Sequence, residues 1–106
     1  MRLVPVILCI DVEPGPRLVS RETPKPWAGY EHIQRYLDGL RSGIEARTGS
    51  PARYAWFLRM DPQIAESYGS PAWIVERYRA HLETVVGLGD ELGLHPHPYR
   101  WLDQER

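Results

Sequence analysis

Three short apolar runs, separated by two longer segments in which apolar residues recur with the period of a helix, constrain this chain more than any other feature. Residues 3–10 are almost continuously apolar, the pattern of a strand buried on both faces of a parallel sheet. Residues 53–60 (RYAWFLRM) are aromatic and apolar and stop at Asp61-Pro62, which reads as a second strand. Leu94 and His95 begin a third, cut off by Pro96 and Pro98. Between the first two runs, apolar residues from Tyr30 onward recur at Ile33, Tyr36, Leu37, Leu40 and Ile44. Glu31, Arg35, Asp38, Arg41 and Glu45 fall between them, and Gly49 supplies a stop. Between the second and third runs, Ser70-Pro71 offers an N-cap and a first-turn proline. Ile74, Val75, Tyr78, Leu82, Val85 and Val86 then continue a helical stripe toward Leu92, and Gly93 ends it. The expected order is βαβαβ in one domain of 106 residues, an α/β fold with parallel strands and right-handed crossovers.

Two stretches remain. Residues 12–29 hold Pro14, Gly15, Pro16, Pro24, Pro26 and Gly29, too many breakers for a regular element, and loops of that length in a compact domain tend to carry function. Residues 62–69 read as a second loop with room for one helical turn.

In a parallel sheet every strand presents its C-terminal end on one rim, where ligands bind. Asp11, Glu13, Asp61, His95 and His97 all fall there. Asp11 and Glu13 stand at i and i+2, so an extended backbone points both to one side, where two carboxylates repel unless a cation or a proton lies between them. His95 and His97 have the same spacing, and neutral imidazoles beside carboxylates are ligands for first-row metals. Alone, the acids read as a strand end in solvent and the histidines as an extended proline loop. On one rim, with the first and third strands flanking the second, the four residues point to a metal site. Asp61 reads as the initiator of the turn at Pro62 or, with Arg59, as support for that site. His32 and His81 lie in the helical segments and read as ordinary helix-face histidines. Trp27, Trp56, Trp73 and Trp101 read first as packing residues; Trp27 and Trp101 fall in loops near the rim, where lining a sugar-binding groove by stacking is the alternative.

Charge and cysteine usage narrow the partners. Thirteen Lys and Arg against fourteen Asp and Glu give a net charge of −1, so no global field draws the chain to nucleic acid or to anionic lipid. Cys9 is the single cysteine, in an apolar run, which reads as a small buried hydrophobe in a reducing compartment. Arg2 before the first apolar run resembles the start of a signal peptide. Pro5 interrupts that run, however, no small-residue cleavage site follows, and two acids end it. No apolar run approaches the roughly 20 residues of a membrane span. The expectation is a cytoplasmic protein, neither anchored nor exported.

The segments VILCIDVE (residues 6–13), YAWFL (54–58) and ELGLH (91–95) together resemble the polysaccharide deacetylase superfamily, the NodB-like enzymes of carbohydrate esterase family 4. In that family a first strand ends in an acidic pair, a second carries an A-T-W-F-like stretch, and a helix leads into a G-x-H strand with metal-binding histidines. The resemblance spans nearly the whole chain. It implies that Asp11 is the general base and that Glu13 and His95 are ligands of a divalent metal, most commonly Zn²⁺. The family's second histidine motif is H-x-x-x-H, but Tyr99 stands four residues after His95, so the third ligand falls to His97. The usual acidic pair is adjacent and made of aspartates, whereas here one residue separates Asp11 from the longer Glu13.

The implied activity is removal of an N-acetyl or related acyl group from a carbohydrate. The family fold is a distorted seven-stranded barrel of about twice this length. The resemblance therefore implies the first half of such a barrel, with little activity alone and a tendency to self-associate through an unpaired sheet edge. Two further readings belong to other classes: another metal-dependent amidohydrolase, and a non-catalytic metal- or carbohydrate-binding half-domain.

Overall fold

The structure is a computed structural model that describes residues 4–15, 19, 21 and 25–102. The elements run β1 (Leu8–Val12), α1 (Ala28–Thr48), β2 (Tyr54–Leu58), α2 (Pro62–Tyr68), α3 (Trp73–Arg77), α4 (Arg79–Gly87) and β3 (Glu91–Leu94). The strands form a three-stranded sheet in the order β1-β2-β3, with both pairings parallel. Leu8 to Val12 align with Tyr54 to Leu58, and Ala55 to Leu58 align with Glu91 to Leu94.

In-register residues of a parallel sheet point to the same face. Val12, Tyr54, Trp56 and Leu58 are buried in one cluster with Tyr30 and Leu37 of α1, Ile64 of α2, Ile74 of α3, and Leu82 and Val85 of α4. Every helix therefore packs on a single face, as right-handed crossovers between strands in sequential order require. The opposite face carries Cys9, Asp11, Ala55, Phe57 and Gly93 and, among the described residues, has no helix over it.

Helix α1 ends as its sequence dictates. Gly49 takes a left-handed conformation (φ 69°), open to glycine without steric penalty, and donates its N–H to the carbonyl of Glu45. Helix α2 begins at Asp61, whose carboxylate accepts the N–H of Ile64 at 3.0 Å, with Pro62 in the first turn.

The N-terminal end of the sheet is locked by a buried carboxylate. Asp90 accepts both terminal nitrogens of Arg41, at 3.0 and 2.8 Å, together with the N–H of Tyr54 at 3.0 Å and the indole N–H of Trp56 at 2.9 Å. Arg41 also donates to the carbonyl of Ala52 at 2.6 Å. This network joins α1, β2 and the start of β3, and each Asp90 oxygen receives two donors in place of the water it lost.

Several expectations are corrected. Residues 4–7 are apolar but irregular and exposed, and β1 starts at Leu8, so Asp11 lies within the strand and Glu13 just after it. Leu3, the first residue of the expected strand, lies outside the described residues. Cys9 is exposed rather than buried, because it points to the uncovered face of an edge strand. The buried stripe of α1 is Tyr30, Leu37 and Arg41, while Tyr36 and Leu40 are exposed. Residues 62–68 form a helix rather than a loop. The expected single helix from Ser70 is interrupted at Tyr78, starts only at Trp73 and ends at Gly87, which gives β3 four residues before His95. Among the described residues, no helix is long and apolar enough to cross a membrane.

Candidate metal centre

Alternation along β1 places Asp11 on the uncovered face, and Glu13 follows with the same parity just beyond the strand. On the other side, the ladder of β3 continues one step, as the N–H of His95 donates to the carbonyl of Leu58 at 2.9 Å. His95 thereby shares the face of Gly93. Because β2 lies between them, β1 and β3 reach across its end from both sides.

The side chains meet there. Glu13 Oε1 lies 2.9 Å from His95 Nε2 and 3.0 Å from His97 Nε2, and the two imidazole nitrogens are 3.3 Å apart. These three residues form the one group, among the described residues, whose ligand atoms converge as a metal site requires. With the proton on Nε2, each ring donates to Glu13; with the proton on Nδ1, each turns a lone pair into the same space. A tetrahedral ion with bonds of about 2.0–2.1 Å holds its ligand atoms roughly 3.3 Å apart. The observed triangle is within a few tenths of an ångström of that, and two nitrogens with one carboxylate oxygen suit Zn²⁺ or a neighbouring first-row ion. All three side chains are about one-third exposed, so solvent reaches the centre.

Asp11 stands outside the triangle. Its nearest contact to the cluster is Oδ1 to His95 Nδ1 at 3.9 Å, on the ring edge away from Glu13, and its side chain is more exposed than the others. Tyr99 is exposed and takes no part; its N–H donates to the carbonyl of His97 at 2.8 Å.

Two residues treated as minor in the sequence are central to the surroundings. Arg59 and Asp61, buried at the C-terminal end of β2, are joined by a hydrogen bond of 2.7 Å from Arg59 Nε to Asp61 Oδ2. The same Oδ2 accepts the backbone N–H of His97 at 3.0 Å. Burial pushes the Asp61 carboxyl up, but hydrogen bonds from Arg59, Ile64 and His97 outweigh it and hold the group below the ordinary carboxylate range. Asp61 thus initiates α2, as one of its two readings expects, and also holds the backbone of His97.

Phe57 forms the floor between Asp11 and Gly93, its partners in register on the same face. A groove of about 290 Å³ leads away along β1, lined by Ile10, Asp11, Glu13, Tyr30 and Ile33 among others. Trp27 does not line it. That indole is fully buried against Tyr68 and Trp73, so of its two readings the packing one holds and the groove-lining one does not. His81, expected to be an ordinary helix-face residue, is half-buried, and its Nδ1 lies 2.7 Å from the Tyr30 hydroxyl, while His32 is exposed on α1. Trp101 is half-exposed near the chain end.

Comparison of the chain with protein families, with curated proteins and with solved structures finds no match in any of the three.

Proposed function

We propose that the chain carries the metal centre of a hydrolase that removes N-acetyl or related acyl groups from a carbohydrate, and that its three strands correspond to the first strands of a NodB-like barrel. The observation that carries this reading is the convergence of Glu13, His95 and His97 on one point at the C-terminal rim of a parallel sheet. All helices lie on the other face, which is the arrangement of the outside of a barrel, and the candidate ligands stand on the face that would be its inside.

A divalent ion held by these residues would polarise the acyl carbonyl and lower the pKa of a water toward about 7. Two imidazoles and one carboxylate leave part of a tetrahedral sphere for water and substrate, the composition of catalytic rather than closed structural zinc sites. Asp11, outside the triangle, would accept the attacking water's proton on a carboxylate oxygen and so serve as general base. The groove along β1, bordered by Asp11 and Glu13 beside the candidate ligands, would seat the sugar.

Asp11 Oδ1 stands 3.9 Å from His95 Nδ1, beyond hydrogen-bond length, and a small side-chain rotation closing that gap would give it a second role, as the carboxylate that orients the ring. The two roles separate experimentally, as described below.

Elemental analysis of zinc-loaded protein should find one ion per chain, and a His95→Ala, His97→Ala variant should hold none; unchanged stoichiometry would remove the site. Acetate release from an acetylated chito-oligosaccharide tests the reaction. Zinc bound at these residues with no release, across several metals, would favour the non-catalytic binding module.

A further inference from the structure

We infer that Asp61 is a positioning residue for the centre, acting by fixing the backbone of His97; the inference rests on the metal-site reading and adds a residue to it. Pairing of the third strand with the second ends where His95 donates to Leu58. Beyond that point the chain reads Pro96-His97-Pro98, and neither proline has an N–H. The amide of His97 is therefore the only main-chain donor in the tripeptide that can tie it to the rest of the protein. Asp61 takes that donor at 3.0 Å. Without the bond, the third ligand would hang on a segment whose hydrogen bonding stops two residues earlier.

The acceptor is itself immobile. Asp61 is buried with no exposed side-chain surface, its Oδ1 is committed to the Ile64 N–H of α2, and its Oδ2 is held by Arg59. Arg59 is fixed in turn by Gln63 at 2.9 Å. A helix cap needs one oxygen and an ion pair with Arg59 needs the other, so the bond to His97, 36 residues away, is an additional function of Oδ2. It transmits the position of β2 and α2 to the His97 ring, whose Nε2 must stay near Glu13. Supports of this kind are what keep ligand sets close to the geometry a metal demands.

Asp61→Asn tests the claim, because the amide oxygen still caps α2 while the amide nitrogen replaces an acceptor with a donor facing the His97 N–H. Zinc affinity, measured by competition with a chromogenic chelator, should fall by about 10- to 100-fold, the usual effect of losing a ligand's support. In a His97→Ala background, the same substitution should cause no further loss, since its effect passes through His97. Equal losses in both backgrounds, or none in either, would overturn the inference and leave the metal site standing. Failure of the unaltered protein to bind zinc would remove the site reading and the inference with it. If Asp61→Asn does not fold, hydrogen exchange in the unaltered, zinc-free protein decides: the His97 amide should be protected, and exchange at the rate of an unstructured peptide would overturn the inference.

Discussion

Phe57 lies across Gly93 so closely that a methyl group on Gly93 would come 2.7 Å from two ring carbons of Phe57. The two are in register on neighbouring strands, immediately below Asp11 and the histidines. Glycine is required at 93 because the floor of the site occupies the space of its side chain. Gly93→Ala should displace the Phe57 ring and lower stability by about 1–3 kcal/mol, as overpacking does. Thermal melts with and without zinc should show the loss, and an unchanged midpoint would mean that the ring yields freely.

Asp11→Asn distinguishes the two roles open to that residue. If Asp11 is the general base, acetate release should drop by about 10² to 10⁴ fold while zinc affinity is kept. If it orients His95, affinity should fall along with activity. The two quantities measured on the same preparation decide between them.

Acid should unfold the protein partly through Asp90. Burial raises its carboxyl, but hydrogen bonds from Arg41, Trp56 and Tyr54 more than offset this and leave its pKa below the ordinary value. A group depressed in the folded state stabilises fully above its unfolded pKa of about 3.9 and loses that contribution as pH falls through the folded value. Asp61, depressed for similar reasons, adds to the same limb. The melting temperature should therefore hold near neutrality and decline below about pH 4. Asp90→Asn should cost about 3–5 kcal/mol at pH 7, since it leaves Arg41 buried and unpaired, and the gap from the parent protein should narrow in acid.

The outer edges of β1 and β3 have no strand partner among the described residues. Val4, Val6 and Ile7 leading into β1, and Leu94 at the end of β3, are large apolar side chains left mostly exposed. Light scattering should show association that rises with concentration, and a Val6→Lys, Ile7→Lys variant should reduce it. A monomer at all concentrations would show that these edges are not adhesive.

The parallel strands and the shared rim of Asp11, Glu13, His95 and His97 were legible because they follow from local pattern and chirality, whereas the central place of β2 was only a condition that the strand order now meets. What escaped depended on partners distant in sequence. Arg41 looked like a polar spacer on a helix; only the arrival of Asp90, 49 residues later, makes its burial favourable. Trp27, in a proline-rich loop, left packing and groove lining both open, and only the closing of Tyr68 and Trp73 around it decides for packing. The start of β1 was misplaced because apolar character continues through residues 4–7, whereas pairing begins only where β2 offers Tyr54 as a partner. The clamp of Asp61 on His97 had a signal in the chain after all, since a histidine between two prolines has a single amide to anchor.

Glu13 and His95 are 82 residues apart, each just beyond one of two strands that are not neighbours in the sheet. An ion bound between them would act as a removable cross-link closing a loop of about three-quarters of these 106 residues. It would bind only after the slowest, longest-range contacts of folding had formed. Zinc occupancy would then report complete folding, and excess zinc would raise global stability by RT ln(1 + [Zn²⁺]/Kd), about 2.7 kcal/mol at one hundred times Kd.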